Sequence, residues 1–276
     1  MSNIKITFLG TGTSHGVPSI DCMRSNYTRC KKDVCRLSLT DHKHNRTRSS
    51  ILIEYNDKHI LLDMSADFRE QALREHIPKI DAVLITHCHS DHITGIPDVR
   101  SYNDPAPHVL DFYGSTESMN AIEQSFSYIF SAKTFVGGGI PRLALHEAKA
   151  QFQLFGLPIV PIPVLHGTLQ GCLGYRIGNI GYVPDVKSIP DTSMRALANL
   201  DCLILDCLRD TREHSTHIIL EESLLIAREL APARCYFIHM SHDIHYQLDA
   251  EKLEPWMQFS WDGLKIEIID EKGHRL

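Results

Sequence analysis

No apolar run in the 276-residue sequence approaches the ~18 residues that a membrane-spanning helix requires. Met1 to Gly10 shows no basic stretch followed by a long apolar segment, so no secretory signal is visible, and the expected location is the cytoplasm. Positive charge is in deficit as well. The formal net charge is −6, so the surface as a whole does not advertise nucleic-acid binding. Lys31, Lys32, Arg36, Lys43, Arg46 and Arg48 make residues 29–48 the most basic region, and such a run reads first as a solvated face. There is no repeat and no low-complexity tract. What remains is an ordinary globular composition, 43% hydrophobic and 22% charged, long enough to bury a substantial core in one domain.

Eight cysteines in a cytosolic chain are not expected to form disulfides. Cys172, Cys202, Cys207 and Cys235 sit in or beside apolar, strand-like runs, where packing explains them. Cys22, Cys30 and Cys35 fall instead in a polar, irregular segment with no core to join. Cys88 lies between two histidines, and alternation along an extended backbone points it away from them.

Strand-like runs cover Ile4–Leu9, Ser50–Tyr55, His59–Asp63, Ala82–Thr86 and Val109–Tyr113. A second series covers Phe152–Leu154, Ile159–Val164, Cys172–Ile177, Ile180–Val183, Cys202–Asp206, Cys235–His239 and Leu264–Asp270. Helical patterns fall at Asp67–His76, Thr116–Phe130, Ser188–Leu200, Ile218–Leu230 and Leu248–Trp256. Asn56-Asp57 and Gly178-Asn179 read as hairpin turns. Phe135 to Gly139 with Pro141 is the clearest loop between the halves. Each half opens with antiparallel-prone strands and then acquires helices, which predicts two mixed sheets packed face to face with helices outside.

The densest chemistry is Thr86-His87-Cys88-His89-Ser90-Asp91-His92, directly after an apolar strand. Imidazole and carboxylate side chains are rarely buried unpaired, and both suit a divalent transition metal. His87 and His89 can converge on one ion from the same side of an extended stretch. Asp91 and His92 are displaced enough to serve a second. Further ligands belong at strand ends in the second half, where rigid elements hold their geometry. His166, Asp185 and His239 each come after a strand in that way.

These residues, with Leu61-Leu62-Asp63, carry a resemblance to the metallo-β-lactamase superfamily over nearly the whole chain. The resemblance implies a metal-dependent hydrolase with an αββα four-layer sandwich, here spanning 1–276 with a Cys-containing insertion at about 20–48. It implies that His87, His89 and His166 hold one ion, that Asp91, His92 and His239 hold another, and that Asp185 bridges them. Asp91 counts as both ligand and catalytic carboxylate. Asp63 is then an acceptor that orients a ligand imidazole. Two divalent ions, Zn²⁺ or Mn²⁺, would present a bridging hydroxide.

The turn Gly10-Thr-Gly12-Thr-Ser-His-Gly16 is one residue long for a dinucleotide fingerprint, and Pro18 with the polar cysteine segment does not read as the helix such a fingerprint needs. A similar glycine turn lies beside the metal site in phosphodiesterase branches of the superfamily, where His15 would face either substrate or solvent. A cysteine cluster after that turn, with His-x-x-His near the C terminus, resembles the cyclic phosphodiesterase of the carbon–phosphorus lyase pathway. The resemblance implies a structural Zn²⁺ on Cys22, Cys30, Cys35 and His242, with His245, His42 and His44 as competitors for the fourth place. The C-x7-C-x4-C spacing departs from that enzyme's tight C-x-C-x-x-C cluster. His217 matches a catalytic histidine of that enzyme and of the transfer-RNA 3′-processing endonuclease; His214 is its local rival.

The expected activity is therefore cleavage of a small or cyclic phosphodiester, with no membrane partner and a homodimer compatible with the sequence. The enzymatic alternatives are an RNA-processing nuclease of the transfer-RNA 3′-endonuclease type and a glyoxalase-type thioesterase. The nuclease lacks its basic glycine-rich arm here, and the thioesterase its appended helical domain. A di-iron protein would have Glu where His89 stands. A metal-dependent binding module is the alternative outside hydrolysis.

Overall fold

The structure is a computed structural model that describes residues 3–103, 108–134, 137 and 139–269. One sheet contains β1 (Asn3–Gly10), β2 (Ser50–Tyr55), β3 (Lys58–Leu62), β4 (Ala82–Leu84), β5 (Leu110–Gly114) and β6 (Leu143–Glu147). The other contains β7 (Phe152–Leu154), β8 (Leu157–Pro163), β9 (Leu173–Ile177), β10 (Ile180–Val183), β11 (Cys202–Asp206), β12 (Arg234–Ile238) and β13 (Met257–Phe259). The last strand, β14 (Lys265–Ile269), returns to the first sheet beside β1.

Parity along these strands builds the layers, because successive side chains in a strand point to opposite faces. In β2 and β3, Ile51, Ile53, Ile60 and Leu62 face an inner core, while Leu52 and Leu61 face outward. In β11 and β12, Cys202, Ile204, Tyr236 and Ile238 join the same inner core, while Leu203, Leu205, Cys235 and Phe237 face the opposite side. Helices cover both outer faces. Phe68 of α3 (Phe68–Arg74) and Ile122 of α5 (Thr116–Ser125) seal the first sheet. Leu224 and Ala227 of α8 (Leu220–Leu230) seal the second. The result is the αββα sandwich. Strands buried on both faces need near-continuous apolar runs, which is why their sequences show so little alternation.

Each sheet divides into an antiparallel and a parallel half. β14, β1, β2 and β3 are antiparallel neighbours, and β3, β4, β5 and β6 continue in parallel. In the second sheet β7 to β10 are antiparallel and β10 to β13 parallel. The C-terminal ends of β8, β10, β11 and β12 therefore share one edge, as do those of β3 and β4. A hydrogen bond from Leu173 N to Thr86 O, 2.9 Å, ties the two edges together. Ligands in such sheets collect outside the carboxyl ends of strands.

Several expected elements change. β6 and β13 were not anticipated, and neither were α1 (Ile20–Arg24) and α2 (Val34–Leu37), whereas Asp91 and His92 do lie in a short helix, α4 (Ser90–Ile93), as their displacement from His87 and His89 suggests. The expected helix Thr116–Phe130 breaks at Phe126, where φ −115 and ψ 37 leave the helical range, and resumes as α6 (Ser127–Phe130). The expected helix at Ser188–Leu200 shrinks to α7 (Asp191–Ala196) behind Pro190, which preconfigures a helix start and lacks an N–H to continue one backwards. Leu248–Trp256 forms only a 3₁₀ turn at Asp249–Lys252. There the Asp249 carboxylate is drawn to Lys32, Lys252 and the His245 N–H. Phe135, Val136 and Gly138 of the expected inter-half loop, and Asp270 of the last strand, lie outside the described residues. Among the described residues no helix is long and apolar enough to cross a membrane.

Candidate metal centre

Each ligand candidate comes after a strand that ends at the shared edge. His87 and His89 come from the segment after β4, His166 after β8, Asp185 after β10 and His239 after β12, while Asp91 and His92 begin α4. The structure gathers His87, His89 and His166 in one group and Asp91, His92, Asp185 and His239 in another. His89 Nδ1 stands 2.9 Å from His87 Nε2 and 3.3 Å from His166 Nε2. Asp185 lies between the groups. Its Oδ2 is 3.8 Å from His87 Nε2 and 3.3 Å from His239 Nε2, and its Oδ1 is 3.3 Å from His92 Nε2. Asp91 Oδ2 is 3.4 Å from His92 Nε2 and 3.5 Å from His239 Nε2. All seven residues predicted as ligands thus converge.

This donor set fits divalent cations. Among the described residues, buried polar atoms normally find hydrogen-bond partners, yet His92 Nε2, His239 Nε2 and Asp185 Oδ1 have none. All three face the middle of the group. Behind the rings, His239 Nδ1 is also unpartnered among the described residues, while other outward nitrogens face a polar group. His92 Nδ1 faces Asp63 Oδ2 at 2.9 Å, and Asp63 also accepts from Thr86 N at 2.8 Å. His166 Nδ1 donates to Thr216 O at 2.8 Å, which leaves its Nε2 lone pair for the centre. Imidazoles held this way from behind are oriented as metal ligands are. Asp63 thus lies behind the His92 ring, on the side away from Asp185.

The electrostatics are those of a site that concentrates negative charge. Burial holds His87 well below its ordinary value and takes His166 down to about 4, so both stay neutral with lone pairs free. Burial also penalises a charged His92, but Asp185, Asp63 and Asp91 outweigh it and raise its pKa. For Asp185, burial is likewise overcome, here by His239 and His92, which hold the carboxyl well below its usual range.

His217 stands beside this centre with Nε2 3.8 Å from Asp185 Oδ2. Its Nδ1 bonds Asp206 Oδ2 at 2.8 Å, and the same carboxylate oxygen accepts from Val186 N. Burial opposes charge on His217, but Asp206 prevails through its charge and hydrogen bond, with Asp185 adding, and takes the imidazole up to about 9. His214, the rival, lies outside the metal groups among the described residues, and its Nδ1 faces Thr216 N and Thr216 Oγ1. Asp206 went unremarked in the sequence except as the last residue of a strand. A lone carboxylate ending the apolar run Cys202–Leu205 was the signal available.

His217 also lines a cavity of about 260 Å³ with Ser14, His15, Arg209, Arg212, His214 and Ser241 among its walls. The glycine turn forms one side. It bends there because the segment 46–48 passes against it: a Cβ on Gly10 would lie 1.9 Å from Arg48 O, and one on Gly12 2.8 Å from Arg46 O. The close approach is made by backbone of the chain itself. His15 is exposed at the cavity's edge.

The cysteine segment forms a separate cluster. Short helices α1 and α2 carry Cys22 and Cys35, Cys30 comes from the turns between them, all three are buried, and His242 completes the group. Cys22 Sγ is 3.5 Å from His242 Nδ1, and Cys30 Sγ accepts from Cys35 N at 3.4 Å. The wide spacing of the three thiols is taken up by these helical turns, and Cys30 joins the rest. Burial pushes the Cys35 thiol up to about 12, with Cys30 and Cys22 adding repulsion; a thiolate there needs a cation. His44 is engaged with Asp41 and His245, and neither it, His245 nor His42 enters the group. Cys88 packs outward against the first sheet's helix-covered core.

A family model described as "Beta-lactamase superfamily domain" matches residues 58–240. A crystal structure described as a new diphosphatase from the PhnP family is 37% identical with a TM-score of 0.85, over 96% of this chain and 98% of that one. An octanoyltransferase of Porphyromonas gingivalis is 33% identical over 99% of this chain but 53% of its own length, so the chain spans about half of that curated relative. A ribonuclease Z of Borreliella afzelii is 44% identical over 55 residues, 19% of this chain and 17% of that protein.

Proposed function

The chain belongs to the metallo-β-lactamase superfamily and, within it, to the PhnP family; from that premise we propose that this metal-dependent hydrolase cleaves a small or cyclic phosphodiester. The observation that carries the reading is His217, backed by Asp206 at 2.8 Å and placed between the metal-ligand groups and an open cavity. His87, His89 and His166 would hold one divalent cation, Asp91, His92 and His239 a second, and Asp185 both. The ions, Zn²⁺ or Mn²⁺, supply Lewis acidity toward the phosphoryl oxygens and a nucleophile active at neutral pH.

The chain's own groups supply the rest. The His217 Nδ1–H donates to Asp206 Oδ2, so the second proton of the imidazolium sits on Nε2 and faces the site. A pKa of about 9 keeps that proton in place at neutral pH, ready for the departing oxygen. Arg209 and Arg212 put positive charge on the cavity wall, where an anionic ester would lie. Asp63 holds the His92 ring in register. The thiols of Cys22, Cys30 and Cys35 with His242 suit a structural Zn²⁺ in tetrahedral coordination.

Diphosphatase activity is stated of the PhnP-family neighbour. The activity named for the octanoyltransferase relative belongs to a protein nearly twice as long as the match and is not carried over. Purified protein loaded with Mn²⁺ or Zn²⁺ should hydrolyse bis(p-nitrophenyl) phosphate, and Asp185→Ala should abolish turnover. Absence of phosphodiester hydrolysis with either metal would overturn the proposal.

A further inference from the structure

The loop after β12 delivers two ligand candidates in four residues: His239 to the histidine–aspartate centre and His242 to the cysteine cluster. His239 is held differently from His87, His166 and His217. His166 and His217 anchor their outward nitrogens on Thr216 O and Asp206 Oδ2, and His87 Nδ1 lies 3.1 Å from Thr86 Oγ1. Neither ring nitrogen of His239 has a hydrogen-bond partner among the described residues, and Asp206 Oδ1 is 3.9 Å from its Nδ1. Its backbone also sits at φ +60, a region uncommon outside glycine. With the stacked His217 ring against its face and no hydrogen bond behind it, the direction of this ring depends strongly on the backbone that carries it.

Beneath the loop lies Arg46, 1% exposed. Its Nη1 donates to Ser241 O at 2.7 Å and its Nη2 to Ile244 O at 2.9 Å. These carbonyls stand at the two ends of the turn that contains His242. The guanidinium forms no ion pair among the described residues, and its Nε has no partner. Burial lowers it to about 10, so it remains charged at neutral pH. A buried charge without a carboxylate is costly, and an apolar side chain of similar volume would avoid that cost. Bidentate capture of two carbonyls is what only the guanidinium provides.

We propose that Arg46 is a positioning residue that sets the backbone of residues 239–244, so that His239 meets the histidine–aspartate centre and His242 meets the cysteines at the same time. The two clusters are then geometrically coupled through a side chain that belongs to neither. Asp41 and His44, from the same segment as Arg46, reinforce the clamp: His44 Nε2 accepts from Tyr246 N at 3.2 Å, and its Nδ1 lies 3.1 Å from Asp41 Oδ2. The inference rests on the ligand sets of the proposed function.

Cobalt titration of the apoprotein separates the two, because thiolate charge-transfer bands report the cysteine cluster and ligand-field bands report the histidine–aspartate centre. His239→Ala and His242→Ala should each weaken their own cluster only. Arg46→Met should weaken Co²⁺ binding at both, on the order of the 10- to 100-fold seen when groups behind ligands are removed. Binding through His87, His89 and His166 should persist, and Arg46→Lys, with the charge but no fork, should recover part of the loss. Wild-type affinity and spectra at both clusters in Arg46→Lys and Arg46→Met would overturn the proposal; if Arg46→Met does not fold, Arg46→Lys decides alone. Unchanged spectra in both histidine variants would overturn the ligand sets and this inference with them.

Discussion

The two ligand clusters solve one problem on very different supports. The histidine–aspartate centre hangs from the ends of strands whose cores on both faces leave each end little freedom. The cysteine cluster hangs from helices of five and four residues and a satellite core of Val17, Cys22, Cys30, Val34 and Cys35. Helices that short are not stable by themselves. Strand ends can therefore present ligands before any metal arrives, whereas the cysteine segment would draw much of its order from the proposed zinc. The first arrangement suits chemistry, which needs preorganised groups; the second suits a fastening.

Three substitutions probe that contrast, beginning with the largest expected effect. His217→Ala should lower kcat for bis(p-nitrophenyl) phosphate by roughly 10²- to 10⁴-fold, the scale of a lost proton donor. Metal content should stay unchanged, because His217 acts beside the ligands. A parallel loss of bound metal would make it a ligand instead. Cys35→Ser should have the reverse profile. Removing one of three buried thiols should cost about 2 kcal/mol, within the range of core-site lesions. That cost should lower Tm by roughly 4–8 °C while the histidine–aspartate centre still binds metal. Equal loss of metal at both clusters would erase the distinction between preorganised and metal-ordered supports, and would favour tight coupling through Arg46.

The smallest effect concerns pH. His217 is raised to about 9 chiefly by Asp206, so its proton is present below that pH and lost above it. Stability from the Asp206–His217 pair is likewise complete below the unfolded value of about 6.5 and disappears as pH rises through about 9. Asp206→Asn should move the alkaline limb of kcat downward by about one unit or more, measured across neutral to alkaline pH. An unmoved limb would show that the limb belongs to another group.

Much of this was legible because the signals were local. β2, β7, β10 and β11 match the expected runs, since strands buried on both faces must be apolar throughout. The histidine motif after β4 announced itself by composition. β6 was missed because Leu143–Glu147 is half exposed with two exposed polar residues at its end, so no buried face marks it. β13 is three residues long and comes after a stretch whose helical pattern is overridden by the buried Asp249. Asp206 and Arg46 were invisible as functional residues for another reason. Asp206 is a lone carboxylate that gains a role only by standing behind His217, and Arg46 reaches backbone carbonyls 195 and 198 residues away.

By itself the sequence determined which atoms could bind metal and which runs had to be buried, because ligand chemistry and hydrophobic periodicity reside in residue types. It could not determine how far apart those atoms stand. Tertiary structure decided that Asp185 faces both groups, that three widely spaced cysteines close on His242, and that one loop serves both clusters. These are distances, set by the register of parallel strands and by a buried guanidinium holding two carbonyls.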